Sequence, residues 1–216
     1  MRKVFIGVVV IFAVGAAWVA HRPLAANGLV ALNEIMYDFP GSDGPHEWIE
    51  IWNTGDVAQD LTAWKFFDGT NHALNAPPAN DGQGSLILNP ETYAIFADSA
   101  ATFLTDHPGF SGIVIDTVMS LNNTGATLKL LDTNGMVVSQ LTYANSNGAR
   151  GNGKTLEVKV DGSLAPSNTI GGTPGAQNSP LSTSTSPPPP PPTNTPTPSE
   201  TPTPTETPTP TETPTL

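Results

Sequence analysis

A stretch near residue 46 contains residue types that zinc proteases use for catalysis. His46-Glu47-Trp48-Ile49-Glu50 begins like the zinc-protease motif, which needs a second His four residues after the first. Glu50 stands at that place, and the two metal ligands of such a motif must also share one face of a helix. The stretch therefore lacks the ligand set of a zinc protease. Glu47 and Glu50 are expected to be solvated surface charges that point to opposite faces of a strand.

A second stretch has the spacing of a phosphate-binding loop. In Gly148-Ala149-Arg150-Gly151-Asn152-Gly153-Lys154-Thr155, the loop amides would cradle phosphates, and Lys154 and Thr155 would contact phosphate and magnesium. A loop of this kind must open a helix. The residues from Thr155 to Val160 instead alternate in the way that is typical of a strand. We therefore do not expect nucleotide binding.

Asp38, Asp43 and Glu47 are the candidate metal ligands, in and beside the loop that joins the first two predicted strands. Oxygen ligands from a short loop are what calcium requires, so calcium is the cofactor to consider. The spacing does not match the calcium-binding loop of the EF-hand. The alternative, which the sequence favours, is that Asp38 and Asp43 only shape the turn at residues 40–45. The sequence has no Cys, which excludes thiolate metal sites and disulfides.

Trp48 and Trp52 are the candidate binding residues, because the face of an indole ring packs well on a sugar ring. On a strand they share one face with Glu50, while Ile49 and Ile51 share the other. Packing in the core is the favoured interpretation for both tryptophans. One of the two faces must meet solvent at least in part, so an exposed aromatic surface stays open as an alternative.

The elements that must position these residues are short strands. Between residues 27 and 178 the periodicity is mostly two, and turns rich in Asn, Asp and Gly recur along the chain. The predicted strands are Leu29–Tyr37, Glu47–Asn53, Trp64–Asp68, Ser85–Leu88, Tyr93–Ala97, Gly112–Thr117, Thr127–Leu131, Val137–Tyr143 and Thr155–Val160. One short helix is predicted over Ala100–Asp106, with Asp98-Ser99 as its cap. The sequence therefore predicts an all-β fold of two antiparallel sheets packed face to face.

Several blocks of the sequence, in the same order, resemble the lamin tail domain family. They are Ala31-Leu32-Asn33-Glu34-Ile35-Met36-Tyr37, Glu47-Trp48-Ile49-Glu50-Ile51-Trp52-Asn53-Thr54-Gly55, Leu61-Thr62-Ala63-Trp64-Lys65, Asp68-Gly69, Leu121-Asn122-Asn123-Thr124-Gly125-Ala126-Thr127-Leu128-Lys129-Leu130 and Thr173-Pro174-Gly175-Ala176-Gln177-Asn178. The resemblance implies an immunoglobulin-like antiparallel β-sandwich. The long heptad rod of a nuclear lamin and its C-terminal prenylation Cys are not in the sequence. The chain therefore resembles the prokaryotic, exported type of the domain, an accessory or surface module.

The two ends of the chain differ in composition from its middle. Met1-Arg2-Lys3 precedes an apolar run from Val4 to Ala20, which predicts that residues 1–26 are a signal peptide or a signal anchor. Residues 27–178 are the predicted sandwich domain. Residues 179–216 are rich in Pro, Thr and Ser and cannot bury a core, so we expect a disordered, extended stalk. The protein is therefore expected to be secreted or on the cell surface, and to contact the membrane only through an uncleaved N-terminal segment.

The charge of the chain restricts its partners. It has 19 acidic residues and 8 Lys or Arg, a formal net charge of −11. Such a charge repels phosphate backbones, so we expect no nucleic-acid partner. The expected function is that of a non-catalytic binding or structural module whose partner is an extracellular protein or a polysaccharide. The alternative is an accessory domain of an exported enzyme, such as a nuclease or hydrolase, whose catalytic part is absent from this chain.

Overall fold

The computed structural model of the protein describes residues 30–179. The predicted signal segment at residues 1–26 lies outside the described residues, and so does the predicted stalk apart from Ser179. Within the described residues, none of the helices combines the length and the apolar character needed to cross a membrane.

The described residues form twelve strands and one α-helix. The strands are β1 Val30–Met36, β2 Trp48–Asn53, β3 Gln59–Asp60, β4 Lys65–Phe67, β5 Asn71–Ala73, β6 Ile87–Leu88, β7 Tyr93–Ala97, β8 Ile113–Asp116, β9 Gly125–Leu131, β10 Val137–Ala144, β11 Leu156–Val158 and β12 Leu164–Pro166. The helix α1 spans Ala100–Asp106, as predicted, and the Ser99 hydroxyl caps it by accepting from the Thr102 amide at 3.2 Å. Short 3₁₀ turns lie at Ala79–Asp81 and Asn145–Asn147.

Two larger sheets account for most of these strands. The six-stranded sheet has the order β12-β11-β1-β2-β7-β8, in which neighbours are antiparallel except for the parallel pair β7 and β8. Helix α1 lies in the connection between those two strands, as is usual for a parallel crossover. The four-stranded sheet has the order β10-β9-β4-β5, and β3 pairs with β6 separately. The predicted all-β class with one short helix is confirmed, and it is consistent with the immunoglobulin-like sandwich.

The main hydrophobic core collects the inward side chains of both sheets. The buried residues include Leu32, Ile35, Ile49, Ile51, Phe96 and Leu156 from the six-stranded sheet and Phe66, Leu128, Leu130 and Tyr143 from the four-stranded sheet. They alternate with residues of the opposite face, as the period of two predicts. Ile49 and Ile51 therefore lie on the core face of β2, whereas Trp48, Glu50 and Trp52 lie on its outer face.

The outer face of the six-stranded sheet is also covered. Helix α1 packs on it through Ala100 and Phe103, and a second buried cluster includes Met36, Trp48, Ile95 and Val114. The sheet is therefore buried on both sides where the helix crosses it, as happens wherever a crossover helix returns along a sheet.

Three short strands of two or three residues were not predicted: β3, β5 and β12. Strand β11 is also shorter than its predicted range. The chain turns after Val158, where the Lys159 amide donates to Ser163 O at 2.8 Å and Gly162 has a positive φ of 81°. This turn leads into β12. The alternating pattern at residues 155–160 therefore includes the first residues of the turn as well as β11.

Candidate functional site

The two candidate tryptophans differ in their surroundings. Trp48 is only 2% exposed, and its ring meets Phe103 edge-on at 5.5 Å between centroids. The exposed-aromatic interpretation is therefore wrong for Trp48, because helix α1 covers that part of the sheet. Trp52 is partly exposed and stacks on Tyr93 at 5.8 Å. Its indole Nε1 is buried without a hydrogen-bond partner among residues 30–179. Sugar stacking by Trp52 stays a prediction.

The three candidate calcium ligands hold three different segments. Asp38 accepts the Gly151 amide, Asp43 Oδ2 accepts from the Asn123 side chain at 2.5 Å, and Glu47 Oε2 accepts the Leu121 amide at 2.9 Å. In the part of the chain that the structure describes, no group of three or more His, Asp or Glu side chains is placed to hold a metal ion. The structure therefore gives these carboxylates hydrogen bonds within the fold and does not bring them together as a ligand set.

Carboxylates from three separate segments fix the backbone of residues 119–121. The amides of Met119, Ser120 and Leu121 donate to Asp98, Asp68 and Glu47 respectively, at 3.1, 2.9 and 2.9 Å. Burial raises the pKa of Glu47 to about 7, and the neighbouring charges of Asp43, Asp98 and Asp68 act in the same direction. The surface position expected for Glu47 is wrong, since it is only 5% exposed.

A second set of carboxylates lies on the outer face of the six-stranded sheet. A register shift between Leu32 and Glu34 marks a β-bulge in β1. Leu32 faces the core, whereas Asn33 donates to Glu50 on the outer face at 2.6 Å, so Asn33 and Glu34 both point outward. Glu34, Glu50 and Glu157 are 0% exposed and Lys159 is 2% exposed; we call these four residues the buried cluster. The expectation that Glu50 is a surface charge is therefore also wrong.

Residues 172–179, which we call the strap, cover the buried cluster. The strap donates the Thr173 amide to Glu34 at 3.0 Å, the Gly175 amide to Glu50 at 2.6 Å, and the Ser179 amide and hydroxyl to Glu157 at 3.0 Å each. The Asn178 side chain bonds to Asn33 in both directions, at 3.0 Å. The strap contains the Thr173-Pro174-Gly175 segment, which is one of the blocks that resemble the family. In this protein the amides of Thr173 and Gly175 donate hydrogen bonds to carboxylates on the sheet.

The buried cluster has more negative than positive groups. Lys159 Nζ lies 2.5 Å from Glu157 Oε2 and pairs with that carboxylate. Burial raises the pKa of Glu34 to about 7 against the opposing effect of its hydrogen bonds from Thr155 and Thr173. Burial likewise raises the pKa of Glu50 well above its ordinary value, and the Glu34 charge adds to the effect. A proton is therefore retained in the cluster in mildly acidic solution, where an exposed Glu is ionised.

The glycine-rich stretch at residues 148–155 leads into strand β11, as its sequence pattern predicts. Thr155 is fully buried and its hydroxyl donates to Glu34, so it faces the buried cluster instead of an open loop. Lys154 Nζ donates to the main-chain oxygen of Asn168 at 3.3 Å. At the other end of the stretch, the Tyr37 hydroxyl donates to Gly148 O at 2.6 Å. These contacts fasten the stretch to the sandwich.

A cavity of about 380 Å³ opens between the end of helix α1, the loop after β1 and residues 170–174. Its lining includes Met36, Phe39, Asp106, His107, Ile170 and Pro174. His46 Nδ1 lies 2.6 Å from Asp106 Oδ2, and Phe39 stacks on the His46 ring at 4.1 Å. Ile170 is 78% exposed. Sequence reasoning missed this cavity because its lining residues come from four distant segments and share no motif.

The lamin tail domain family matches residues 23–145, which is more than half of the chain. The matched part includes β1 to β10 and therefore Glu34, Glu47 and Glu50. Strands β11 and β12 and the strap lie beyond its end. No curated protein is similar enough to the chain to count as a match.

Proposed function

The chain belongs to the lamin tail domain family, and from that premise we propose that it is a non-catalytic module, exported to the cell surface or the medium, that binds or spaces other molecules. The observation that carries this proposal is that six carboxylates of the domain accept hydrogen bonds from other parts of the same domain. Glu47, Asp68 and Asp98 each accept a backbone amide of residues 119–121, and Glu34, Glu50 and Glu157 accept donors of the strap. Glu34, Glu50 and Glu157 are 0% exposed and Glu47 is 5% exposed, so the surface offers a substrate little access to these four carboxyls, which supports a structural role for them.

The proposed export rests on the N-terminal sequence. Two cations followed by a long apolar run are typical of a segment that directs a chain across a membrane. The Pro/Thr-rich residues at 180–216 would then act as an extended spacer. The absence of Cys is compatible with an extracellular location, because the two larger sheets bury a hydrophobic core without disulfides.

The proposed partner is an extracellular protein or a polysaccharide. A chain of net charge −11 is repelled by nucleic acid. The cavity beside Ile170 is a concave, largely apolar surface within the size range of ligand sites, so it is the first place to look for a contact.

The test is the location of the chain in a bacterial host that expresses it with a C-terminal epitope tag. Intact cells are treated with a membrane-impermeant amine reagent, which reaches the exposed Lys65 only if the domain is outside. A matched chain without residues 1–26 serves as the control. We expect labelling of the full chain, or its release into the medium, and no labelling of the shortened chain. Retention of the unlabelled full chain inside the cell would overturn the proposal.

A further inference from the structure

We propose that the strap is tightened by acid: its closure over the buried cluster is coupled to the uptake of a proton by that cluster. The coupling goes beyond the proposed function and does not depend on it. It rests on the arrangement of Glu34, Thr173 and Glu157, on the charges of the cluster and on the close contact of Gly172 with the sheet.

The Thr173 hydroxyl connects two buried carboxyl groups. Its oxygen lies 3.2 Å from Glu34 Oε2 and 3.1 Å from Glu157 Oε1. A hydroxyl has one hydrogen, which it either shares weakly between two acceptors or donates fully to one of them. Both contacts are full hydrogen bonds only when one of the two carboxyls carries a proton and donates it to the Thr173 oxygen. The closed strap therefore fits a cluster that holds a proton.

The charges around Glu34 also favour a cluster that holds a proton. The titratable groups that face the cluster are Glu34 on β1, Glu50 on β2, Tyr93 on β7, Glu157 on β11 and Lys159 just after it. The strap adds no charged side chain. Lys159 is the single cation of this set and bonds to Glu157, so Glu34 and Glu50 have no cation of their own. A proton on Glu34 relieves the repulsion between them.

Opening of the strap would reverse the effect of burial on Glu34. In the closed form burial raises the pKa of Glu34 to about 7, against the opposing effect of the Thr173 hydrogen bonds, whereas water at the open site returns it toward 4.5. The closed form thus binds a proton that the open form releases. The ratio of closed to open strap is greatest below pH 4.5, falls as the pH rises, and becomes constant above about pH 7.

The strap approaches the cluster with its backbone. Gly172 has a φ of 74°, and a Cβ at this position would overlap Glu34 Oε1 and the Thr155 hydroxyl. Gly172 and Pro174 also line the cavity of about 380 Å³. A looser strap therefore changes one wall of that cavity, and protonation of the cluster controls the shape of the cavity.

Hydrogen exchange of the strap amides tests the coupling. Protection factors, corrected for the intrinsic pH dependence of exchange, are measured for Thr173, Gly175 and Ser179 between pH 4.5 and pH 7.5. Amides of the β9–β10 hairpin serve as the reference. In the wild-type chain we expect strap protection to fall on the order of a hundredfold over this range, relative to the hairpin.

Glu34→Gln mimics the protonated carboxyl, and we expect the pH dependence of strap protection to disappear in this variant. Asp56→Asn, at an exposed carboxylate, is the matched control and should behave like the wild type. Strap protection that is constant with pH in the wild type, or that falls equally in Glu34→Gln, would overturn the proposal.

A glycine pair provides a second test that does not depend on the folding of Glu34→Gln. Gly172→Ala pushes the strap away from Glu34. Gly162 is the matched control, because it has a similar positive φ of 81° but a Cβ added there meets no atom within 4 Å. We expect Gly172→Ala to lose strap protection at every pH and to lose its pH dependence, and Gly162→Ala to retain both. A Gly172→Ala variant with the wild-type pH dependence would contradict the proposal.

Discussion

Thr173 contacts Glu34 twice across 139 residues of sequence: its amide donates to Oε1 at 3.0 Å and its hydroxyl lies 3.2 Å from Oε2. Glu34 lies within the part of the chain that the family matches, and Thr173 lies well beyond it. The first strand therefore carries a buried acid whose partners come from the last described segment. Because a buried carboxyl without hydrogen bonds is costly, the domain extends in physical terms to Ser179.

Truncation tests this boundary. A chain that ends at Gly172 loses the strap donors to Glu34, Glu50 and Glu157, and we expect its free energy of unfolding to fall by about 3 kcal/mol or more. A chain that ends at Ser182 keeps the strap and is the matched control, with a change within about 0.5 kcal/mol. Urea denaturation measures both, and equal stabilities of the two chains would show that the strap is dispensable.

Trp48 is predicted to stabilise the fold and not to bind a ligand. Trp48→Ala removes a side chain that is 2% exposed and packs against Phe103, so we expect a loss of about 3–5 kcal/mol in the free energy of unfolding. Val118→Ala, at a residue that is 64% exposed, should change it by about 0.5 kcal/mol or less. A folded Trp48→Ala variant of wild-type stability would contradict the packing of α1 on this face.

Calcium is predicted not to stabilise the protein. Asp38, Asp43 and Glu47 each accept a hydrogen bond from a different segment, and they do not form a ligand group. Thermal unfolding in millimolar calcium should therefore give the same midpoint as unfolding in magnesium or a chelator. A midpoint that rises with calcium concentration, and does not do so in Asp43→Asn, would restore the calcium site that the sequence suggested.

Nucleotide binding is predicted to be absent despite the spacing at residues 148–155. Thr155 is buried against Glu34, and the stretch continues as strand β11. Calorimetric titration with magnesium and ATP should detect no binding by the wild type, and Lys154→Ala should be indistinguishable from it. Saturable binding that Lys154→Ala abolishes would show that the stretch acts as a phosphate loop.

The parts of the fold that follow from local pattern could be predicted. Ile49 and Ile51 alternate with Trp48 and Glu50, so the sequence predicts strand β2 and its two faces. Ser99 predicts the start of helix α1, because its hydroxyl has a local amide to accept. Such features depend on neighbours within a few residues, which the sequence shows directly.

The burial of the carboxylates could not be predicted in this way. Glu50 has the type and spacing of a surface residue, and its burial depends on Gly175, 125 residues away. The outward position of both Asn33 and Glu34 depends on a bulge that the pattern of β1 does not show. Both facts belong to contacts between distant segments, which a single sequence does not display.

The most direct test of the account is the role of Glu47, which is part of both the zinc-like motif and the candidate calcium loop. If the carboxylates hold the backbone, Glu47→Ala leaves the buried Leu121 amide without its acceptor and lowers the free energy of unfolding by about 1–3 kcal/mol. Asp56→Asn, at an exposed carboxylate, should change it by about 0.5 kcal/mol or less. Urea denaturation at pH 7 decides between the two roles: a Glu47→Ala variant as stable as Asp56→Asn would contradict the claim that this carboxylate serves the fold.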